Sequence, residues 1–222
     1  MSDKPVVIFG VGSFAEVAAV YLRKDSPREV IAYTVDGQYL SSDHFAGLPV
    51  IAFEDLLESH PPERIDLLIA TGFSGVNRVR RGIYERCKQL GYGFLTYVSS
   101  SAFVMTDEPL GENTFVFEAN VIQPFAEIGD DVVVWSGNHI GHHSRIEDHC
   151  FIASHAVISG HVRIGESSFV GVNATLRDGI SLGPSCVIGA GAVVLADQGE
   201  GTVLRAVAAP THPKKSWELR NF

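Results

Sequence analysis

Fifteen aliphatic residues stand at strict six-residue intervals between Leu110 and Val194, with no insertion and no polar substitute among them. The series is Leu110, Val116, Ile122, Ile128, Val134, Ile140, Ile146, Ile152, Ile158, Ile164, Val170, Leu176, Leu182, Ile188 and Val194. A period of six is neither that of a helix, about 3.6, nor that of a strand, about 2. It is the signature of a parallel β-helix, in which each hexad supplies one short face and three hexads close a triangular coil of eighteen residues.

The residue two before each aliphatic is mostly small (Thr114, Ala126, Ser144, Cys150, Ala156, Ser168, Ala174, Cys186, Ala192) and is expected to point inward with it. Glycine often follows the aliphatic, at Gly111, Gly129, Gly141, Gly165, Gly171, Gly183 and Gly189, where corners that demand unusual backbone angles are expected. Fifteen hexads predict five coils, stacked at about 4.8 Å.

The preceding residues change pattern. Strands are expected over Pro5–Phe9, Glu29–Val35, Ile65–Ala70 and Gly93–Tyr97, with helices over Phe14–Leu22, Glu54–Ser59 and Asn77–Leu90. Alternation of this kind predicts a small parallel α/β unit over residues 1–97, ahead of a β-helix over 98–222. The first strand-to-helix turn reads Gly10-Val11-Gly12-Ser13-Phe14-Ala15. Free N–H groups at a helix start favour a phosphate there, although Ala15 stands where the dinucleotide fingerprint has its third glycine. Asp36 ends the second strand, where an acid commonly binds a ribose. The unit is too short for both halves of a dinucleotide fold, so a mononucleotide is the expected guest.

With 222 residues, 45% of them hydrophobic, the chain can bury a sizeable core. Its net charge of −9 argues against nucleic acid or an anionic membrane as principal partner. The sequence has no run of eighteen apolar residues, and Met1–Pro5 lacks signal-peptide character; together these predict a cytoplasmic protein. Cys87, Cys150 and Cys186 form no CxxC pair, and the last two, two coils apart, are too distant for a disulfide.

A small α/β domain with Gly-x-Gly, followed by a hexapeptide prism, resembles the group of sialic-acid O-acetyltransferases and nucleotide-amino-sugar N-acetyltransferases, the latter acting on 4-amino-dideoxysugars in bacterial glycan synthesis. The resemblance covers residues 5 to about 209. It implies a left-handed prism, whereas crossovers are otherwise nearly always right-handed. It also implies a homotrimer that binds acetyl-CoA or another short acyl-CoA between subunits and a nucleotide-linked amino sugar in the N-terminal domain, with no metal. The hexapeptide-repeat carbonic anhydrases, by contrast, hold zinc with a pair of histidines separated by four residues, and this chain has no such pair.

Residue by residue, the resemblance makes His142 the general base and Gly160, one coil on, the oxyanion donor. His155, Gly171, Val172, Gly189, Ala190 and Gly191 are expected along the coenzyme; Gly10, Gly12, Ser13, Phe14, Asp36, Gly72 and Asn77, with Arg80, around the nucleotide. Arg205, Lys214 or Lys215 are candidates for the coenzyme's 3′-phosphate. The family usually has an acid after its catalytic histidine. Here His143 stands instead, leaving Glu127, Glu147 or Asp148 as candidates for that charge. Ala206–Ala209 resembles the closing strand, and the tail with Trp217 and Phe222 is expected to cap the prism. An O-acetyltransferase and a non-catalytic nucleotide-sugar scaffold remain alternatives.

Overall fold

The computed structural model describes residues 3–211 and 213–218; Phe222 lies outside them. Six strands, β1 (Val6–Phe9), β2 (Val30–Val35), β3 (His44–Phe45), β4 (Leu48–Ala52), β5 (Asp66–Ile69) and β6 (Gly93–Phe94), form a sheet in the order β3-β4-β2-β1-β5-β6. Every pairing is parallel except the β3–β4 hairpin, which the sequence reading did not anticipate. Helices α1 (Ser13–Asp25), α2 (Phe53–Ser59) and α3 (Arg78–Gln89) flank the sheet. The strand expected over Gly93–Tyr97 is divided: Gly93–Phe94 completes this sheet, and Tyr97–Val98 opens the next structure.

That structure is a left-handed parallel β-helix with faces of seven, six and four two-residue strands. Its register is eighteen residues, as in the ladder Tyr97, Phe115, Val133, Phe151, Phe169, Val187. The aliphatic series and its small companions fill the interior; all but Leu110 among the aliphatics, and every companion, are buried. The aliphatic series starts before Leu110, because Val98 and Val104 continue the same period in the strands Tyr97–Val98 and Phe103–Val104. At the far end Val203–Leu204 pairs with Val187–Ile188 after sixteen residues instead of eighteen. This pair closes the sheet. Ala206–Ala209 forms no strand, and the tail leaves Val207 97% and Trp217 81% exposed, so the described tail does not cap the prism within one chain.

The corners correct a second expectation. Glycines after the aliphatics do not have positive φ. The left-handed residue is three after the aliphatic, at Asn113, Ala119, Phe125, Asp131, Gly137, His143, His149, His155, His161, Ser167, Asn173, Gly179, Ser185 and Gly191. The glycines answer a different need: a Cβ on Gly171 would stand 2.6 Å from the Ala190 nitrogen of the coil above, well inside van der Waals contact.

The seven-stranded face turns Phe115, Val133, Phe151 and Phe169 outward, where they are packed against the N-terminal unit through Phe14, Tyr21 and Phe73. Buried polar anchors reinforce this face. Arg80 Nε donates to Asp131 Oδ1 at 3.1 Å, and its Nη2 donates to the carbonyls of Asp131, His149 and Cys150. Asn77 Nδ2 donates to the Ser167 and Ser168 carbonyls. The four-stranded face carries ion pairs, Arg145 with Glu127 and Arg163 with Glu147. On the six-stranded face the outward positions Phe103, Val157 and Val193 are exposed.

Candidate functional site

Strand order reverses at β1, with β2 on one side and β5 on the other. Ligand crevices of open α/β sheets lie outside the carboxyl ends of strands at such a point. A cleft of about 680 Å³ sits there, lined by Gly10–Phe14, Asp36, Tyr39, Thr71, Gly72 and Arg86 among others. Gly10 is required on two counts: its φ is +129°, and a Cβ would meet the Ala70 carbonyl oxygen at 2.9 Å. Gly12 opens α1 with no side-chain cap, and a Cβ there would meet nothing within 4 Å. The first N–H groups of α1 are therefore accessible from the cleft. Asp36 accepts a hydrogen bond from Arg86 Nη2 at 2.6 Å, and the Arg86 guanidinium lies 4.4 Å over the Phe53 ring. Thr71 Oγ1 and Arg86 Nε are buried without a protein partner, which fits a polar guest in this cleft.

Two expected nucleotide contacts lie elsewhere. Asn77 and Arg80 are fully buried and serve the prism interface described above, outside the cleft. Phe14 lines the cleft and also packs against Trp135, with ring centroids 5.3 Å apart.

His142 lies at the prism edge after the strand His139–Ile140, its N–H held by Gln123 Oε1 at 2.9 Å. Gly160 stacks one coil on. A Cβ there would fall 2.7 Å from Cε1 and 2.8 Å from Nε2 of His142, so the imidazole occupies the room that the glycine leaves. The Gly160 N–H donates to no described residue. Asp178, a further coil on, brings Oδ1 within 3.0 Å of the same point. Sequence reasoning missed this acid, although the eighteen-residue step that leads from His142 to Gly160 leads next to Asp178. The acids it nominated are engaged elsewhere: Glu127 and Glu147 with arginines, and Asp148 with the Asp130 N–H.

On the other side of the ring, His142 Nδ1 lies 3.2 Å from His143 Nδ1. A neutral imidazole carries one N–H; with that proton on His142 Nδ1, donated to His143, the Nε2 lone pair faces Gly160. His143 in turn stacks on His161 at 4.8 Å and 14°. All three rings are exposed. Of the other recurring histidines, His149 is buried and paired with Asp131, and His155 fills the space over Gly137.

His155, Gly171, Val172, Gly189, Ala190 and Gly191 line the edge that follows the seven-stranded face, one face away from His142. A single chain therefore does not bring the two sets together. Beyond Gly189 the next backbone is that of Leu204 and Arg205, at 2.9 and 3.4 Å from where its Cβ would stand. The cysteines are buried, and burial pushes the Cys150 and Cys87 thiols up to about 12, which leaves no thiolate to act as an acyl carrier. Among the described residues no helix is long and apolar enough to cross a membrane.

Residues 125–160 match the model of the bacterial transferase hexapeptide (six repeats), and residues 161–196 the hexapeptide repeat of succinyl-transferase. No curated protein matches by sequence. Among solved structures, the acetyltransferase domain of PglB from Neisseria gonorrhoeae is 27% identical over 90% of this chain and 95% of its own, with a TM-score of 0.78. It has also been solved with acetyl coenzyme A. Perosamine N-acetyltransferase from Caulobacter crescentus, solved as a histidine-to-asparagine mutant with CoA and GDP-perosamine, is 26% identical over 91% of this chain and 93% of its own, with a TM-score of 0.82.

Proposed function

We propose that this chain, which belongs to the hexapeptide-repeat sugar acyltransferases, transfers an acyl group, acetyl by default, from acyl-CoA to the amine of a nucleotide-linked amino-dideoxysugar in bacterial glycan synthesis. The observation that carries the reading is the His142 imidazole set over Gly160 at one prism edge, with the Gly160 N–H donating to no described residue. An acyl transfer needs a base for the attacking amine and a donor for the charge that develops on the thioester oxygen.

In this reading the Gly10–Phe14 loop, Gly72 and Asp36 grip the nucleotide, with Thr71 and Arg86 beside them. His142 Nε2 takes the proton of the amine as nitrogen attacks the thioester carbon. His143 Nδ1 accepts the Nδ1–H of His142 and so holds the productive tautomer, a task the family usually gives to an acid. The Gly160 N–H meets the oxyanion. The thiolate leaves directly, since no cysteine is available as a covalent carrier.

The coenzyme lies along Gly171, Val172 and Gly189 to Gly191, near His155, with Arg205 in reach of its phosphate end. That edge belongs to a neighbouring subunit, because one face separates it from His142 within a chain. The exposed apolar row of Phe103, Val157 and Val193 supports such contacts in a homotrimer.

The test is acylation across UDP-, dTDP- and GDP-linked 4-amino and 3-amino sugars, with the matching hydroxy sugars as controls. Turnover confined to an amino sugar is expected. Turnover on hydroxyl acceptors alone would make the protein an O-acyltransferase, and binding without turnover would make it a scaffold.

A further inference from the structure

We propose that His142, His143 and His161 form a binding site for a divalent transition-metal ion of the zinc type, and that filling it withdraws His142 from acyl transfer. Each ring offers one nitrogen, and the three nitrogens lie within 4.8 Å of one another. Two nitrogens bound to one tetrahedral zinc at 2.0–2.1 Å stand about 3.4 Å apart. The Nδ1 atoms of His142 and His143, 3.2 Å apart, already have that spacing. Only the His161 ring has to close in.

The backbone holds the set in register. His143 and His161 occupy equivalent left-handed corners, each with φ of 56°, and the His161 N–H donates to the His142 carbonyl at 2.9 Å. His142 meets the His161 ring edge-on at 5.0 Å and 86°. All three side chains are exposed within the single chain, so that chain leaves room for an ion and for water to complete its shell. A set of imidazoles suits zinc, nickel or copper and not magnesium or calcium, which take oxygen ligands.

The consequence for catalysis follows from the single proton of a neutral imidazole. When His142 Nδ1 gives its lone pair to a metal, the ring proton moves to Nε2. That nitrogen then presents N–H instead of a lone pair and cannot accept the proton of an amine. The ring stays neutral, and no proton is gained or lost. This second half of the inference rests on His142 being the base; the site itself does not.

The experiment titrates the full-length protein with zinc against a chromogenic chelator, while acyl transfer is followed by chromatography of the product, because the thiol of CoA itself binds zinc. One equivalent per chain is expected, with turnover lowered at least tenfold at saturation and restored by EDTA. His161→Asn, which keeps a residue suited to the left-handed corner, should weaken zinc binding at least tenfold and leave metal-free turnover within about twofold of the parent. Absence of saturable binding, or zinc affinity equal to the parent's in His161→Asn and His142→Asn, overturns the site. Full turnover with the site filled overturns the link to the base. A protein that binds zinc through these residues yet acylates no acceptor would sink the proposed function while leaving the metal site standing.

Discussion

The His142 imidazole lies in the space that a Cβ on Gly160 would take, with Cε1 and Nε2 at 2.7 and 2.8 Å from that point. The obstacles to a methyl group are the ends of two exposed side chains, His142 and Asp178, and not backbone. Gly160→Ala should therefore fold with an unchanged melting temperature and displace the ring. A displacement near 1 Å costs on the order of 10²-fold in rate, so kcat should fall by about that factor. Unaltered kcat would show that the ring position is not used.

His142→Asn removes the base and keeps a side chain of similar reach. Turnover should drop by roughly 10² to 10⁴ with little change in KM for either substrate, as for loss of a group needed only in the transition state. Steady-state kinetics with both substrates varied decide this.

Gly12→Leu projects a side chain into the open space of the cleft. No atom lies within 4 Å of the new Cβ, so stability should hold. KM for the nucleotide sugar should rise on the order of tenfold or more, equivalent to about 1.4 kcal/mol, while kcat at saturation is kept. An unchanged KM would move the nucleotide out of this cleft.

Arg80→Met leaves Asp131 buried and without its guanidinium partner. Breaking a buried pair in this way costs about 3–5 kcal/mol. The loss should appear as a lower urea midpoint, and because Arg80 joins α3 to the prism, proteolysis between the two units should quicken.

Asp25 ties the end of α1 to the base of the prism. Hydrogen bonds from Ser100 and from the Tyr97 hydroxyl hold its carboxyl down at about 2, against an ordinary 3.8. A depressed folded value contributes stability that is present above the unfolded value and lost as pH falls through the folded one. Asp25→Asn should therefore destabilise the protein at neutral pH, and the gap to the parent should close between about pH 4 and pH 2. A gap that is constant with pH would exclude the carboxylate charge as its source.

The prism was legible because its interior repeats a single choice, aliphatic at every sixth place, and each repetition confirms the last. The same register also holds what was overlooked. Val98 and Val104 carry the series two hexads further down. Phe115, Val133, Phe151 and Phe169, eighteen apart, mark a covered face, and Asp178 follows His142 and Gly160 by one further step. The corner residue was misread because the left-handed position accepts histidine, asparagine, aspartate and serine as well as glycine. Most glycines were instead placed to let adjacent coils approach. Asn77 and Arg80 could not be assigned from sequence. Their partners lie 51 to 91 residues away, and a polar residue at a helix start gives no sign of whether it meets a ligand or another domain.

The eighteen-residue coil makes the prism a graduated rod. Inserting a whole coil after Gly165 would lengthen it by one mark, about 4.8 Å, and return every later side chain to its original bearing. Inserting one hexad would shorten no bond and break no pairing rule, yet it would turn the edge from Gly171 to Gly191 a third of a circle away from His155. Position along the axis is set by the count of residues, and direction around it by the remainder.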